Sequence, residues 1–562
     1  MTNSSVFDLS DRFVGEYSRA CPVAATMAGV PGISTTWDDY SPEGASEVLA
    51  LCRRTRAQLP SGPVDPTTRD GLATRVLRDF LDERIAYYES GDHLIDLNNI
   101  ESPAQHVRTV FDVMGSSTEE HWAGIASRLD GVGRALESYR AALEAGLERG
   151  PGVSRRQVHA VIQQMDIHAR EDGSFSDLGA QLEASGIATA ALRADVARGV
   201  GRARESAAAF AAFLRDYLPR AREEDAVGAE RYARAVDRFV GAKLDLEETY
   251  RWGFAEIRKI EAEMRQCARE VDPARVDGPR IVAEVVEALS RDPARHIHDR
   301  EEFLRLMRAR QERALQDLAE THFEIPARIR AIDVKLAPKG GPIGAYYVPP
   351  SEDFSRPGTV FYSPAEGAPY TLFNEITTAY HEGFPGHHLQ CGLQVHFAES
   401  LSRFHRLFVV CSGYAEGWAL YAESLMADLG YFERPEYLLG MHMAKLFRAC
   451  RVVADIGAHL GLRIPDDFDF HPGERWSWAH VADLLCERGL IPRANAESEA
   501  TRYLGWPAQA ISYKVGERVI LDLREELQRS PGFSLRRFHE AVLATGSVGL
   551  DLLRERVRLT AS

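Results

Sequence analysis

Cysteine is scarce in this sequence. The seven present, Cys21, Cys52, Cys267, Cys391, Cys411, Cys450 and Cys486, are odd in number and show no C-x-x-C spacing. That argues against a disulfide framework. Cys391 and Cys411 flank the segment of most interest, but nothing beside them in sequence marks a lowered thiol pKa, so they read as small buried hydrophobes. Basic residues are also outnumbered: 67 Lys and Arg against 83 Asp and Glu give a net charge of −16. A nucleic-acid partner would need a basic patch to offset this, and none is present. The Arg-rich stretch 305–313 alternates with Glu and apolar residues at helical spacing and reads as a solvated face. No apolar run reaches about 18 residues, so no membrane-spanning helix is expected. The opening residues Met1-Thr2-Asn3-Ser4-Ser5-Val6-Phe7-Asp8 have neither a basic region nor an apolar stretch. No secretory signal is read there, and the expected compartment is the cytoplasm.

What is abundant is helical periodicity. Segments 68–89, 122–149, 188–217 and 229–271 carry apolar residues at three- and four-residue intervals with Arg and Glu between them. Turn formers interrupt the pattern at Gly150-Pro151-Gly152, at Asp272-Pro273 and over 338–342. The Ala-rich stretch 207–213 reads as helix surface or tight helix packing. Strand-like material is confined to 329–362, where Ile332-Asp333-Val334-Lys335-Leu336 alternates and Tyr346-Tyr347-Val348 and Thr359-Val360-Phe361-Tyr362 are rich in β formers. A chain of 562 residues exceeds the size at which one core usually stops growing, so two lobes are expected.

Chemistry concentrates in Tyr380-His381-Glu382-Gly383-Phe384-Pro385-Gly386-His387-His388. Three imidazoles and a carboxylate surround a helix breaker, which reads as half of a zinc hydrolase site. The familiar H-E-x-x-H puts both imidazoles on one face of an unbroken helix with Glu as general base. Here a straight helix would set His381 and His388 roughly 10 Å apart along its axis, too far for ligands that each bond one Zn²⁺ at about 2 Å. Pro385 and Gly386 let the chain kink and return either His387 or His388 toward His381. Downstream, Ser412-Gly413-Tyr414-Ala415-Glu416-Gly417-Trp418-Ala419-Leu420-Tyr421-Ala422-Glu423 places two carboxylates seven residues apart on one helix face. Glu416, in an apolar aromatic run where an unpaired charge is costly, is the expected third ligand. Glu423 is the competitor, as ligand or as the partner that orients an imidazole.

These segments, with Phe373-Asn374-Glu375-Ile376-Thr377-Thr378-Ala379 before them, Gly344-Ala345-Tyr346-Tyr347-Val348-Pro349-Pro350 upstream and Tyr503-Leu504-Gly505-Trp506-Pro507-Ala508-Gln509-Ala510-Ile511-Ser512-Tyr513-Lys514-Val515-Gly516 late in the chain, resemble the bacterial family termed domain of unknown function 885. The resemblance covers nearly the whole chain, and it is the joint order that is specific. It implies a largely helical zinc-dependent hydrolase, distantly similar to gluzincin peptidases such as thimet oligopeptidase and angiotensin-converting enzyme, which bind zinc through H-E-x-x-H and a Glu on a following helix. The longer gap between histidines here departs from that pattern. Relatives by this resemblance are often exported lipoproteins, and the N-terminal reading above departs from them too.

The expected architecture is mainly α, two-lobed and metallopeptidase-like, with a central cleft and a small β-sheet near the metal site. Residues 1–225 form the N-terminal helical lobe and 226–562 the metal-site lobe. Within the latter lie the sheet at about 329–362, zinc helices at about 373–428 and a late substrate-binding helix at about 500–529. One Zn²⁺, or another divalent metal, on His381, His387 or His388, and Glu416 would activate water, with Glu382 taking its proton. Tyr513 is the expected oxyanion donor. Arg502, Gln509 and Lys514 are candidates to hold a substrate carboxylate, and Tyr347, on a strand able to pair with extended backbone, is a further substrate contact. The expected substrate is a short peptide or small amide. Two other readings compete: a metalloenzyme performing elimination, rearrangement or transfer, and a helical binding protein with a vestigial site.

Overall fold

A computed structural model describes residues 5–32, 35–150, 152–278, 280–337, 344–363 and 369–561. The turn formers expected at 338–342, together with Pro151 and Met1-Thr2-Asn3-Ser4, lie outside the described residues. The fold is mainly α with little strand, as the periodicity requires.

The chain separates into two units, one made of 1–234 with 402–409 and 501–506, the other of 235–401, 410–500 and 507–562. In the first, helix Ala190–Tyr217 buries Leu192, Val196, Val200, Ala203, Ala207, Phe210, Ala211 and Leu214 at three- and four-residue spacing. It lies against helices Glu119–Asp130, Val132–Arg149 and Arg155–Ala169. Ala207 and Ala211 are fully buried, so the Ala-rich stretch serves close helix packing. The expected continuous helix over 122–149 is two helices, and at the break the Arg128 carbonyl accepts from both the Gly131 N–H at 3.0 Å and the Trp37 indole N–H at 2.8 Å. The span 229–271 is likewise divided, into Gly228–Val240 and Leu246–Val271, the second started by Asp245, whose side chain accepts from Glu248 N–H at 3.0 Å.

In the second unit, helix Leu246–Val271 packs along Pro435–Leu460, and Ser412–Asp428 along Ser512–Gln528. The expected sheet is present. Strand Gly358–Ser363 lies centrally, parallel to Ile332–Leu336 and antiparallel to Gly344–Val348, with Tyr346 stacked on Phe361 across the strands at 5.1 Å. One face buries Val334, Val360 and Tyr362 against Phe303 and Met307 of helix Arg300–Leu318 and Ala379 of helix Leu372–Glu382. Each fully buried aliphatic or aromatic side chain of this kind contributes about 1.5–3 kcal/mol. The sheet therefore anchors the helix that carries His381. A two-stranded pairing of His296–Ile297 with Tyr370–Thr371 fixes that helix's entry. The late helix is interrupted: Arg493–Gly505 ends before Trp506-Pro507, and Ser512–Gln528 begins after a turn in which Ala508 N–H donates to Asp455 at 2.9 Å. Pro507 explains the break, since it has no N–H to continue a helix. No helix among the described residues is long and apolar enough to cross a membrane.

Candidate metal centre

The His-Glu segment is a broken helix rather than a kinked one. Helix Leu372–Glu382 stops, residues 383–386 turn with a cis Phe384–Pro385 peptide, and a new helix runs His387–His396. Three contacts hold the turn. Buried Gln311 donates to Ala379 O and accepts from Phe384 N–H, both at 2.6 Å, and the Trp418 indole donates to Pro385 O at 2.9 Å. Gly386 is required by close approach, because a Cβ there would stand 2.0 Å from His381 O. The reversal brings the two helix ends together, so that His381 at the last turn of one faces His387 at the first turn of the next, ring centroids 4.9 Å apart.

Glu416 completes the group. His381, His387 and Glu416 each offer one ligand atom, and all three atoms lie within 4.8 Å of one another. Glu416 Oε2 is 3.3 Å from His381 Nε2 and 3.6 Å from His387 Nε2. Tetrahedral bonds of about 2.0–2.1 Å put neighbouring ligand atoms roughly 3.3 Å apart, so the spacing fits Zn²⁺. The fit has a second sign: Glu416 Oε2 is buried and makes no well-directed hydrogen bond. The remaining nitrogen of His381 is also fixed. Its Nδ1 lies 2.7 Å from Glu423 Oε1, and the other Glu423 oxygen accepts from Thr377 Oγ1 at 2.5 Å. This is the carboxylate–histidine arrangement that sets an imidazole's tautomer and direction in metal sites. Glu423 is thus engaged behind His381, outside the group of three.

His388 points elsewhere. Successive residues on a helix diverge by about 100°, so adjacent imidazoles cannot share one ligand position. His388 Nε2 donates to Ile329 O at 2.7 Å and its Nδ1 accepts from the Tyr347 hydroxyl at 3.0 Å. Burial lowers its pKa to about 4, which keeps the ring neutral in that pairing. The expectation that His388 serves as a ligand is corrected; the Tyr347 hydroxyl is hydrogen-bonded to His388, and its strand Gly344–Val348 lies at the edge of the three-stranded sheet.

The electrostatics favour a cation. Burial opposes charge on His381, but Glu416 and Glu423 outweigh it and raise the pKa to about 9. Burial raises Glu416, yet His381 and His387 hold it well below the usual carboxylate range. Glu382 is raised, first by burial and further by Glu416, against the pull of both imidazoles.

The late segment is divided in its uses. Helix Ser512–Gln528 approaches the Glu416 helix closely: a Cβ on Gly417 would lie 2.5 Å from the Gly516 carbonyl carbon. The Tyr513 ring sits under the Arg451 and Arg448 guanidinium groups at 4.7 and 5.9 Å, and Arg448 is 3.9 Å from Glu423. Lys514 is corrected from substrate clamp to buried ion pair, with Nζ 2.5 Å from Glu517 and 2.8 Å from Glu256. Gln509 is buried, its side-chain amide 3.4 Å from Ser412 Oγ. Arg502 belongs to the other unit and lies over Tyr503 at 5.0 Å.

Residues without an assigned role in the sequence reading also contribute. Thr377 precedes His381 by one helical turn, and that spacing was the available signal. Glu375, one face with Glu382 at seven residues, is raised by burial to about 7. Arg448, between Lys445 and Arg451 on helix Pro435–Leu460, helps lower Glu423 and partly offsets the rise of Glu382. Gln311 gave no signal, since it sits in a charged amphipathic pattern.

Two solved structures share the fold over nearly full length. One is "the putative lipoprotein from Colwellia psychrerythraea", with TM-score 0.85, 22% identity, and 99% of this chain and 98% of that chain covered. The other is "a putative lipoprotein of unknown function from Shewanella oneidensis", with TM-score 0.75, 18% identity, and 98% and 99% covered. The cytoplasmic expectation is overturned by these descriptions. It rested on the composition of the first few residues, which do not fix a compartment. Among curated proteins none matches the chain. The model of the family "Bacterial protein of unknown function (DUF885)" matches residues 22–557, and the chain belongs to that family.

Proposed function

We propose that the protein is a zinc-dependent hydrolase that cleaves an amide or peptide bond in a short peptide or small amide. The observation that carries this reading is the convergence of one ligand atom each from His381, His387 and Glu416 within 4.8 Å, Glu416 Oε2 having no well-directed hydrogen bond, with Glu423 aligning His381 from behind. Two imidazoles and one carboxylate leave a fourth position open, the ligand set of catalytic rather than structural zinc. A divalent ion held there would supply Lewis acidity, polarising a carbonyl and acidifying water. Glu382, directly after His381 and raised in pKa, takes the proton from water as it attacks and delivers it to the leaving amine. Tyr513 donates a hydrogen bond to the oxyanion, with Arg448 adding positive potential. By this reading the site is of the gluzincin kind, its longer histidine spacing absorbed by the 383–386 turn.

The test uses zinc-loaded protein and a panel of short peptides and acyl amino acids in ¹⁸O-water. Hydrolysis predicts one labelled oxygen in the carboxylate product, and loss of turnover on chelation with return on adding Zn²⁺. Turnover that persists after complete metal removal, or product without label, would overturn the proposal.

A further inference from the structure

Away from the buried group, a second set of metal-ligating side chains is built into the segment that follows helix Pro435–Leu460. His471-Pro472-Gly473-Glu474 forms a type II β-turn: Pro occupies the second position, Gly473 has φ +76° at the third, and Glu474 N–H donates to His471 O at 3.2 Å. Two further bonds, Ile464 N–H to Glu474 O and Gly473 N–H to Ile464 O, both 2.9 Å, tie the turn to the strand-like stretch before it. His471 itself is held at φ +43°, a conformation uncommon for a residue with a Cβ. The turn thereby sets the His471 and Glu474 side chains next to each other.

The third member arrives from helix Trp478–Glu487. Ser477 caps that helix by accepting from His480 N–H at 3.2 Å, and His480 Nδ1 is hydrogen-bonded to Arg475 O at 2.9 Å. A backbone carbonyl on Nδ1 leaves Nε2 as the ligand atom, the outer support common to metal-binding histidines. Nε2 lies 3.2 Å from Glu474 Oε2, the other carboxylate oxygen is 3.5 Å from His471 Nδ1, and the two rings are 4.6 Å apart. One ligand atom from each of the three lies within 4.8 Å of the others. The Glu474 side chain is 58% exposed, so water can fill the remaining positions.

We propose that His471, Glu474 and His480 bind a second divalent transition-metal ion, independent of the buried group, and that this ion staples the turn to the helix start. Two imidazoles and one carboxylate select Zn²⁺, Ni²⁺ or Cu²⁺ over Mg²⁺ and Ca²⁺, which prefer all-oxygen shells. Binding to the folded chain alone raises its melting temperature in proportion to the logarithm of free metal.

The experiment is a Zn²⁺ titration of the full chain by calorimetry and metal analysis, on the unaltered protein and on His480→Ala, Glu474→Gln and His387→Ala, with melting curves of the metal-free forms as the folding control. Two zinc per chain are expected, the weaker class lost in His480→Ala and in Glu474→Gln but retained in His387→Ala, and unaffected by millimolar Ca²⁺. Unchanged zinc binding in both His480→Ala and Glu474→Gln, with melting curves that match the unaltered protein, would overturn the second site. Loss of the weaker class with the tighter class surviving His387→Ala would instead sink the buried assignment and leave this one standing.

Discussion

The buried group of His381, His387 and Glu416 and the surface group of His471, Glu474 and His480 use the same three side chains and hold them by opposite means. In the first, rigidity comes from packing. The turn between two helices is clamped by Gln311 and Trp418, and Glu423 and Thr377 stand behind His381. In the second, rigidity comes from local backbone geometry, a β-turn and a helix cap, with the Glu474 side chain exposed. The difference teaches what donor atoms alone do not. Beside the buried group stand a carboxylate of raised pKa, a low-dielectric setting and a further layer of charge, features that the proposed chemistry would use.

The largest expected effect separates binding from chemistry. Glu382→Gln should lower hydrolysis by roughly 100- to 10,000-fold while leaving the tight zinc class intact. Steady-state rates with metal analysis decide it, and an unchanged rate would remove Glu382 as the base. Next comes the packing that sustains the buried group. Lys514→Met strips a buried partner from Glu517 and should cost on the order of 3 kcal/mol in denaturant unfolding. The pH dependence follows from the same pair. Burial raises Glu517, but Lys445 and Lys514 outweigh it and bring its pKa to about 2. A folded value below the unfolded one, about 4.3, means that this stabilisation is full above the unfolded value and is lost as pH falls from there through about 2. Unfolding measured across that window should show a steeper acid loss in the unaltered protein than in Lys514→Met.

Smaller still, Glu423→Gln should weaken the tight zinc class by roughly 10- to 100-fold without touching the surface class, a contrast visible in one competition titration. The smallest effect belongs to the turn. Gly473→Ala forces a Cβ into φ +76°, within 3.0 Å of Asp466 Oδ1, and should cost roughly 1 kcal/mol in melting experiments while leaving hydrolysis unchanged.

Much of this was legible in the sequence because it is local. Helical periodicity gave the mainly α fold, alternation gave the small sheet, and the seven-residue spacing of Glu416 and Glu423 put both on one face of helix Ser412–Asp428. What was not legible depends on distant partners. Choosing His387 over His388 requires Ile329 and Tyr347, which take both nitrogens of His388. A kink and a full helix break read alike until Gln311 and Trp418 are placed against the turn. Lys514 read as a candidate carboxylate clamp because its burial between Glu517 and Glu256, the latter 258 residues away, is set by tertiary packing. The surface group was missed for the opposite reason: its residues are close in sequence, but no regular helix or strand would align them.

The most direct test of the central claim is anomalous X-ray diffraction at the zinc edge on crystals grown with stoichiometric Zn²⁺. The account predicts a peak about 2 Å from His381 Nε2, His387 Nε2 and a Glu416 oxygen, with His388 still bonded to Ile329 and Tyr347. A peak bonded to His388, or none between His381 and Glu416, would contradict it.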